Sequence, residues 1–118
     1  MLADLRFEQA GSVVVARLAG DVDMSNAGDV GAALGRTVTN DKLALVLDLT
    51  DVDYFDSAGI HLIFDLQERL RVRGLALRLV VPEGSSARSS LVLAGVLRTI
   101  DVDLELESAL ASVGDGAA

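Results

Sequence analysis

No cysteine occurs in the 118 residues. A disulfide framework, a thiolate metal site and a cysteine nucleophile are therefore excluded. Tryptophan is absent too, and the aromatic residues are Phe7, Tyr54, Phe55 and Phe64. That is too few flat side chains for stacking on bases or sugars. Lysine is nearly missing: Lys42 stands beside nine arginines. No apolar run approaches the roughly 18 residues that span a bilayer. The start, Met1-Leu2-Ala3-Asp4-Leu5-Arg6, has no basic lead or long apolar stretch. Positive charge is also in short supply, with ten Lys and Arg against eighteen Asp and Glu, a net charge of −8. Phosphate contacts need a basic face, so no unaided partnership with nucleic acid or anionic lipid is expected. The expectation is an acidic, soluble, cytoplasmic protein with no direct membrane insertion.

What is present is apolar residue in quantity, 51% of the chain. At this length that suits one compact core. Leu5 and Phe7 alternate with polar neighbours, Ala10-Gly11 offers a turn, and Ser12 to Leu18 is rich in valine. These runs predict an antiparallel hairpin. Val30, Leu34 and Val38 are four apart and share one helix face, with Asn26 available as cap. Gly28, Gly31 and Gly35 lie in the same helix. Each costs it up to ~1 kcal/mol relative to alanine, so packing must hold it. Leu43-Ala44-Leu45-Val46-Leu47 is an unbroken apolar run that suits a strand covered on both faces. Thr50 to Asp56 reads as a polar loop.

Ser57 to Arg73 is the longest helical pattern. Ile60, Ile63, Phe64, Leu66 and Leu70 give it a broad apolar face, and Gly74 is its natural terminator. Leu75 to Val81 reads as a strand stopped by Pro82. A Ser85 or Ser86 cap opens a third helix ending near Gly95. A short strand over 99–102 and a final helix capped by Asp103, running through Leu106, Leu110 and Val113, complete the chain. Gly114-Asp115-Gly116-Ala117-Ala118 is expected to be a flexible tail. The order is β-β-α-β-α-β-α-β-α, an α/β class in which helices pack on a sheet.

The segment Asp48 to Ile60 joins a buried strand to the main helix, and in open α/β sheets function gathers at the carboxyl ends of strands. Ser57 falls at the helix start, where it is either a capping residue or a site for adding phosphate. A phosphoserine carries about −1.5 to −2 charge at pH 7. Unpaired N–H groups at a helix start can accommodate that charge without unfolding the helix. Asp51, Asp53 and Asp56 would intensify the negative patch and repel an apolar or acidic partner.

Catalytic readings are weaker. A Gly-x-Ser-x-Gly elbow needs glycine at position 55, where Phe55 stands. His61 is one turn from Ser57, but no orienting acid completes a triad, and His61 reads as an exposed or interface residue. Asp51 and Asp53 lie past the strand rather than at its end, and Lys42 precedes it, so phosphatase and receiver patterns fail. The carboxylates could bind Mg²⁺ but read first as solvated loop residues. No glycine-rich nucleotide loop occurs.

Asp51-Val52-Asp53-Tyr54-Phe55-Asp56-Ser57-Ala58-Gly59-Ile60 resembles the signature of the STAS domain family (sulfate transporter and anti-sigma factor antagonist). The hairpin, the segment Leu18-Ala19-Gly20-Asp21-Val22-Asp23 and the element order resemble it too. The resemblance implies one domain over residues 1–113 followed by the tail 114–118. It implies a mixed sheet of four to five strands, about four helices packed mainly on one side, no catalytic activity and no cofactor. Stand-alone members of this size are often anti-sigma factor antagonists. The unphosphorylated form binds an anti-sigma factor, commonly also a serine kinase, and so releases the sigma factor. The kinase phosphorylates the serine matching Ser57, the partners separate, and a serine phosphatase restores the first state. The implied partner surface comprises Asp56, Ser57, Ala58, Gly59 and Ile60, bordered by Asp21, Asp23 and Ser25. Ile60 is either an exposed contact there or part of the core. The same scaffold also implies an alternative, a constitutive adaptor in a stress-signalling complex or a lipid-transport ATPase.

Overall fold

The computed structural model describes the backbone of residues 3–117 and the side chains of residues 3–113. These residues form five strands, four α-helices and one 3-10 turn. The strands are β1 (Ala3–Ala10), β2 (Val13–Val22), β3 (Ala44–Phe55), β4 (Ala76–Val80) and β5 (Asp101–Asp103). The helices are α1 (Ala27–Thr37), α2 (Ser57–Val72), α3 (Arg88–Leu93) and α4 (Leu106–Ala117), with the 3-10 turn at Val96–Arg98. The strands lie in chain order in one mixed sheet. β1 and β2 pair antiparallel, from Ala3 opposite Gly20 to Ala10 opposite Val13. The other neighbours are parallel, each joined through a helix. The sequence-based order and class are those observed.

Alternation builds two cores of unequal size. Val14, Ala16 and Leu18 of β2 face one side with Leu45, Leu47 and Leu79, and there α1, α2 and α3 cover them through Leu34, Ile63, Leu66, Leu70 and Leu91. Val13 and Val15 face the other way with Ala44, Val46 and Val80, covered by Ala109 and Val113 of α4. The period-two pleat thus explains why 43–47 reads as continuously apolar: neighbouring residues serve opposite faces. Three helices share one side, and α4 lies alone on the other.

Four local expectations need correction. The polar stretch 50–55 is strand, not loop: β3 continues to Phe55. Its register against β2 slips twice, between the Arg17–Asp48 and Ala19–Asp51 pairs and between the Gly20–Val52 and Asp21–Tyr54 pairs. Each slip inserts one extra residue into β3, which is a β-bulge. Leu49, Val52 and Phe55 are buried at a spacing of three, which hides the strand from a period-two reading. Asn26 occupies the cap position of α1 but makes no capping bond. Ser85 and Ser86 do not cap α3, whose cap residue is Ala87, and no partner for the Ser85 hydroxyl exists among the described residues. Asp103 belongs to β5, where its carboxylate accepts from Arg78 Nε at 2.9 Å, so it is not available to cap α4.

α4 is helical backbone to Ala117, past Gly114, where the tail was expected to begin. Residue 118 and the side chains from 114 onward lie outside the described residues. No helix among the described residues is long and apolar enough to cross a membrane.

Candidate functional site

β4 pairs with β3 only as far as Asp48 opposite Val80. The bulged half of β3 therefore runs beyond β4, paired on one side only, by β2. It delivers the β3–α2 junction to the carboxyl end of the sheet. Val22 pairs with Phe55, and the Asp56 N–H donates to Val22 O at 3.2 Å. The loop after β2 and the start of α2 are thereby tied to one edge.

Asp56 is the cap of α2. Its Oδ1 accepts from the Ala58 N–H at 2.8 Å and the Gly59 N–H at 3.2 Å. The capping alternative for Ser57 is thus removed, because the neighbouring carboxylate does that work. Ser57 is the first helical residue, is exposed, and its hydroxyl makes no hydrogen bond among the described residues. The expectation that free helix-start amides would receive a phosphate also changes. Two of them are occupied by Asp56, leaving the Ser57 amide open among the described residues. A negative group on Ser57 would meet a carboxylate already seated at the positive end of the helix.

Gly59 has a steric reason to be glycine. A Cβ there would fall 2.6 Å from Phe55 Cδ1. Ala58 and Ile60 are half-buried against the larger core, so Ile60 contributes to packing and keeps part of its surface outside. Asp51, Asp53 and Tyr54 are exposed on the protruding strand.

The loop after β2 is organised by its own side chains. Asp23 Oδ1 accepts from the Ser25 hydroxyl at 2.5 Å and the Ser25 N–H at 2.8 Å. These bonds hold the Asp23 carboxyl below its ordinary range, the hydroxyl contributing most. Buried Asn26 closes the loop from inside, accepting from the Asp23 N–H at 3.1 Å and donating to Asp21 O at 2.8 Å. Sequence reasoning saw only a cap in Asn26, since one side chain bonding across five residues leaves no local pattern. Asp21 itself lies on β2 opposite Tyr54.

A groove of about 240 Å³ runs between α1 and α2 from their starts to Arg69, lined among others by Met24, Gly28, Gly31, Ala58 and His61. It brings both loops to one surface. Met24 is 84% exposed at its rim. That residue was missed, and a lone methionine in a polar loop gives no signal. His61 is exposed, as expected. Among the described residues no group of three or more His, Asp or Glu side chains is placed to hold a metal ion.

Residues 4–109 match the STAS domain family model. The chain belongs to the STAS domain family. Its likeness to individual members agrees. It is 30% identical over 105 residues to the anti-sigma-F factor antagonist RsfB of Mycobacterium tuberculosis, which covers 88% of this chain and 84% of that one. The crystal structure of an anti-sigma factor antagonist from Mycobacterium paratuberculosis superposes with a TM-score of 0.80 at 27% identity, covering 94% of this chain and 93% of that one. The phosphorylated form of the Bacillus protein SpoIIAA shares the fold, with a TM-score of 0.66 at 18% identity over 93% of this chain and 99% of that one. This STAS domain therefore presents a serine at the first position of its signature helix, with the cap beside it already charged.

Proposed function

We propose that this STAS domain is an anti-sigma factor antagonist switched by phosphorylation of Ser57. Unphosphorylated, it binds an anti-sigma factor that is also a serine kinase, and the sigma factor is released. The surface used comprises Asp56, Ser57, Ala58, Gly59 and the outer part of Ile60, with Asp21, Asp23 and Ser25 at its border. The proposal rests on one observation: Ser57 is exposed directly after the capping carboxylate, and its hydroxyl makes no hydrogen bond among the described residues. The family and the named function of RsfB support the direction of the reading.

Phosphorylation needs only that the hydroxyl reach a kinase and that the helix tolerate the product. The Ser57 side chain is spent on neither packing nor capping, so esterifying it costs the fold little. The added charge of about −1.5 to −2 joins Asp56 at close range. Asp56 occupies the Ala58 and Gly59 amides and leaves only that of Ser57 itself, so most of the added charge remains available to repel a docked partner. The same domain then needs a serine phosphatase to return to the binding state. ATP as phosphate donor places the cycle in the cytoplasm. The domain itself supplies no catalysis.

The test combines the chain with the cognate anti-sigma kinase and ATP, followed by phosphosite mapping and binding measurements. Label at Ser57, binding retained in Ser57→Ala and weakened about ten-fold or more in Ser57→Asp are expected. Label confined to other residues, or equal affinity of all three forms, refutes it.

A further inference from the structure

We infer that the opposite end of the α1–α2 pair is a second docking groove, which receives an acidic amphipathic helix of a partner protein independently of Ser57. Between the last turns of these helices lies an open groove of about 580 Å³. Ala32 and Gly35 form its low α1 wall, and Val72, 71% exposed, lies on the α2 side. Arg36, Arg69 and Arg73 line it in a chain whose net charge is −8.

Little cancels that local charge. Arg36 is exposed and has no ion pair among the described residues. Arg73 donates to neutral oxygens: Asn40 Oδ1 at 2.8 Å, Gly35 O at 3.2 Å and Val38 O. Arg69 holds Asp65 at 2.9 Å, but both side chains are about half exposed. Such a pair is worth about 0–1 kcal/mol and exchanges readily. Glu68, the one acid in the lining, is engaged by Arg71 at 2.6 Å.

The shape selects the ligand. Arg73 is turned onto the end of α1 and Arg69 is paired with Asp65, so their donors are already directed to different partners and do not converge on one small anion. An apolar stripe flanked by cations instead fits a helix carrying leucine-like residues on one face and carboxylates beside them. The chain cannot supply that helix itself, because Ala109 and Val113 of its acidic α4 are buried on its own sheet. A membrane is disfavoured because the overall negative charge opposes an anionic surface. Arg69 also borders the groove at the helix starts, but it lies twelve positions after Ser57 on α2, about 18 Å along the axis. A phosphate at one end therefore has little reach to the other across solvent.

The 118-residue chain, labelled with ¹⁵N, is titrated with a synthetic helix of Glu and Leu at i, i+3, i+4 spacing, and with its Lys/Leu counterpart. Shifts gathered at residues 32–37 and 68–73 with the Glu/Leu helix are expected. Arg36→Glu should weaken that binding about ten-fold and admit the Lys/Leu helix, whereas Ser57→Asp should change it less than about two-fold. Val72→Ser, another exposed position, should weaken it without altering the melting temperature. Shifts centred on Ser57, indifference to Arg36→Glu, or a response to phosphatidylglycerol vesicles in place of the peptide each overturn the inference. Ser57→Asp and Arg36→Glu act at separate ends, so failure here leaves the kinase-binding test intact.

Discussion

The two halves of β3 are made from the same strand for different ends. Its first half, Ala44 to Asp48, is paired on both sides and buried on both faces through Leu47. Its second half carries two bulges, is paired among the described residues by β2 alone, and exposes Thr50, Asp51, Asp53 and Tyr54. The first half holds the sheet together. The second is extended and re-aimed so that Asp56 and Ser57 emerge beyond the reach of β4. Bulges frequently re-aim side chains near functional sites, and here they convert a core strand into a mount.

The comparison predicts a steep gradient of stability along β3. Leu47 is fully buried between Ala16 and Leu79 in the sheet, facing the larger core. Leu47→Ala should cost about 2–5 kcal/mol, read as a lowered denaturant midpoint at unchanged slope. A loss below about 1 kcal/mol would mean that the first half is not the anchor.

Gly59→Ala tests the point where the mount meets the helix. The new methyl would strike the Phe55 ring, which is buried and cannot swing into solvent. Overpacking of this kind costs about 1–3 kcal/mol. Because the ring must shift, amide shifts should spread through both Phe55 and Ser57. A smaller effect follows for Asp56. Asp56→Ala removes the bonds to Ala58 and Gly59 and should cost about 1 kcal/mol, while Asp56→Asn, which still caps, should cost less. Equal losses from both variants would show that charge, not the cap, is what Asp56 contributes to the fold.

The same contrast decides what was legible beforehand. The first half of β3 and the apolar face of α2 follow regular periods, so Leu45, Leu47, Ile63, Leu66 and Leu70 could be placed from spacing alone. The end of α2 was equally plain: Gly74 adopts φ +76°, with Leu75 N–H bonding Leu70 O at 2.8 Å. The second half of β3 was not legible as strand, because each bulge resets the alternation and the acidic residues between look like a loop. Asn26, Ser85 and Asp103 were misread for a related reason. Each has a side chain suited to capping, yet tertiary partners or a neighbouring turn decide its use. The signature around Ser57 was found through family resemblance, whereas the identity of the cap required geometry.

The smallest expected change in stability is at the residue expected to matter most for function. Ser57 is exposed, contributes no hydroxyl bond among the described residues, and sits at a helix position where alanine is well tolerated. Ser57→Ala should therefore alter the unfolding free energy by less than about 0.5 kcal/mol. Under the proposed switch, the same substitution should abolish kinase-dependent release from the anti-sigma factor. A residue important for packing cannot combine these two results, because lost function would arrive with lost stability. If Ser57→Ala proves as costly as Leu47→Ala, the hydroxyl is structural and the division of β3 into anchor and mount fails at its most exposed point. If stability and phosphorylation-driven release are both unchanged, the division survives, but the switch must lie elsewhere on the surface.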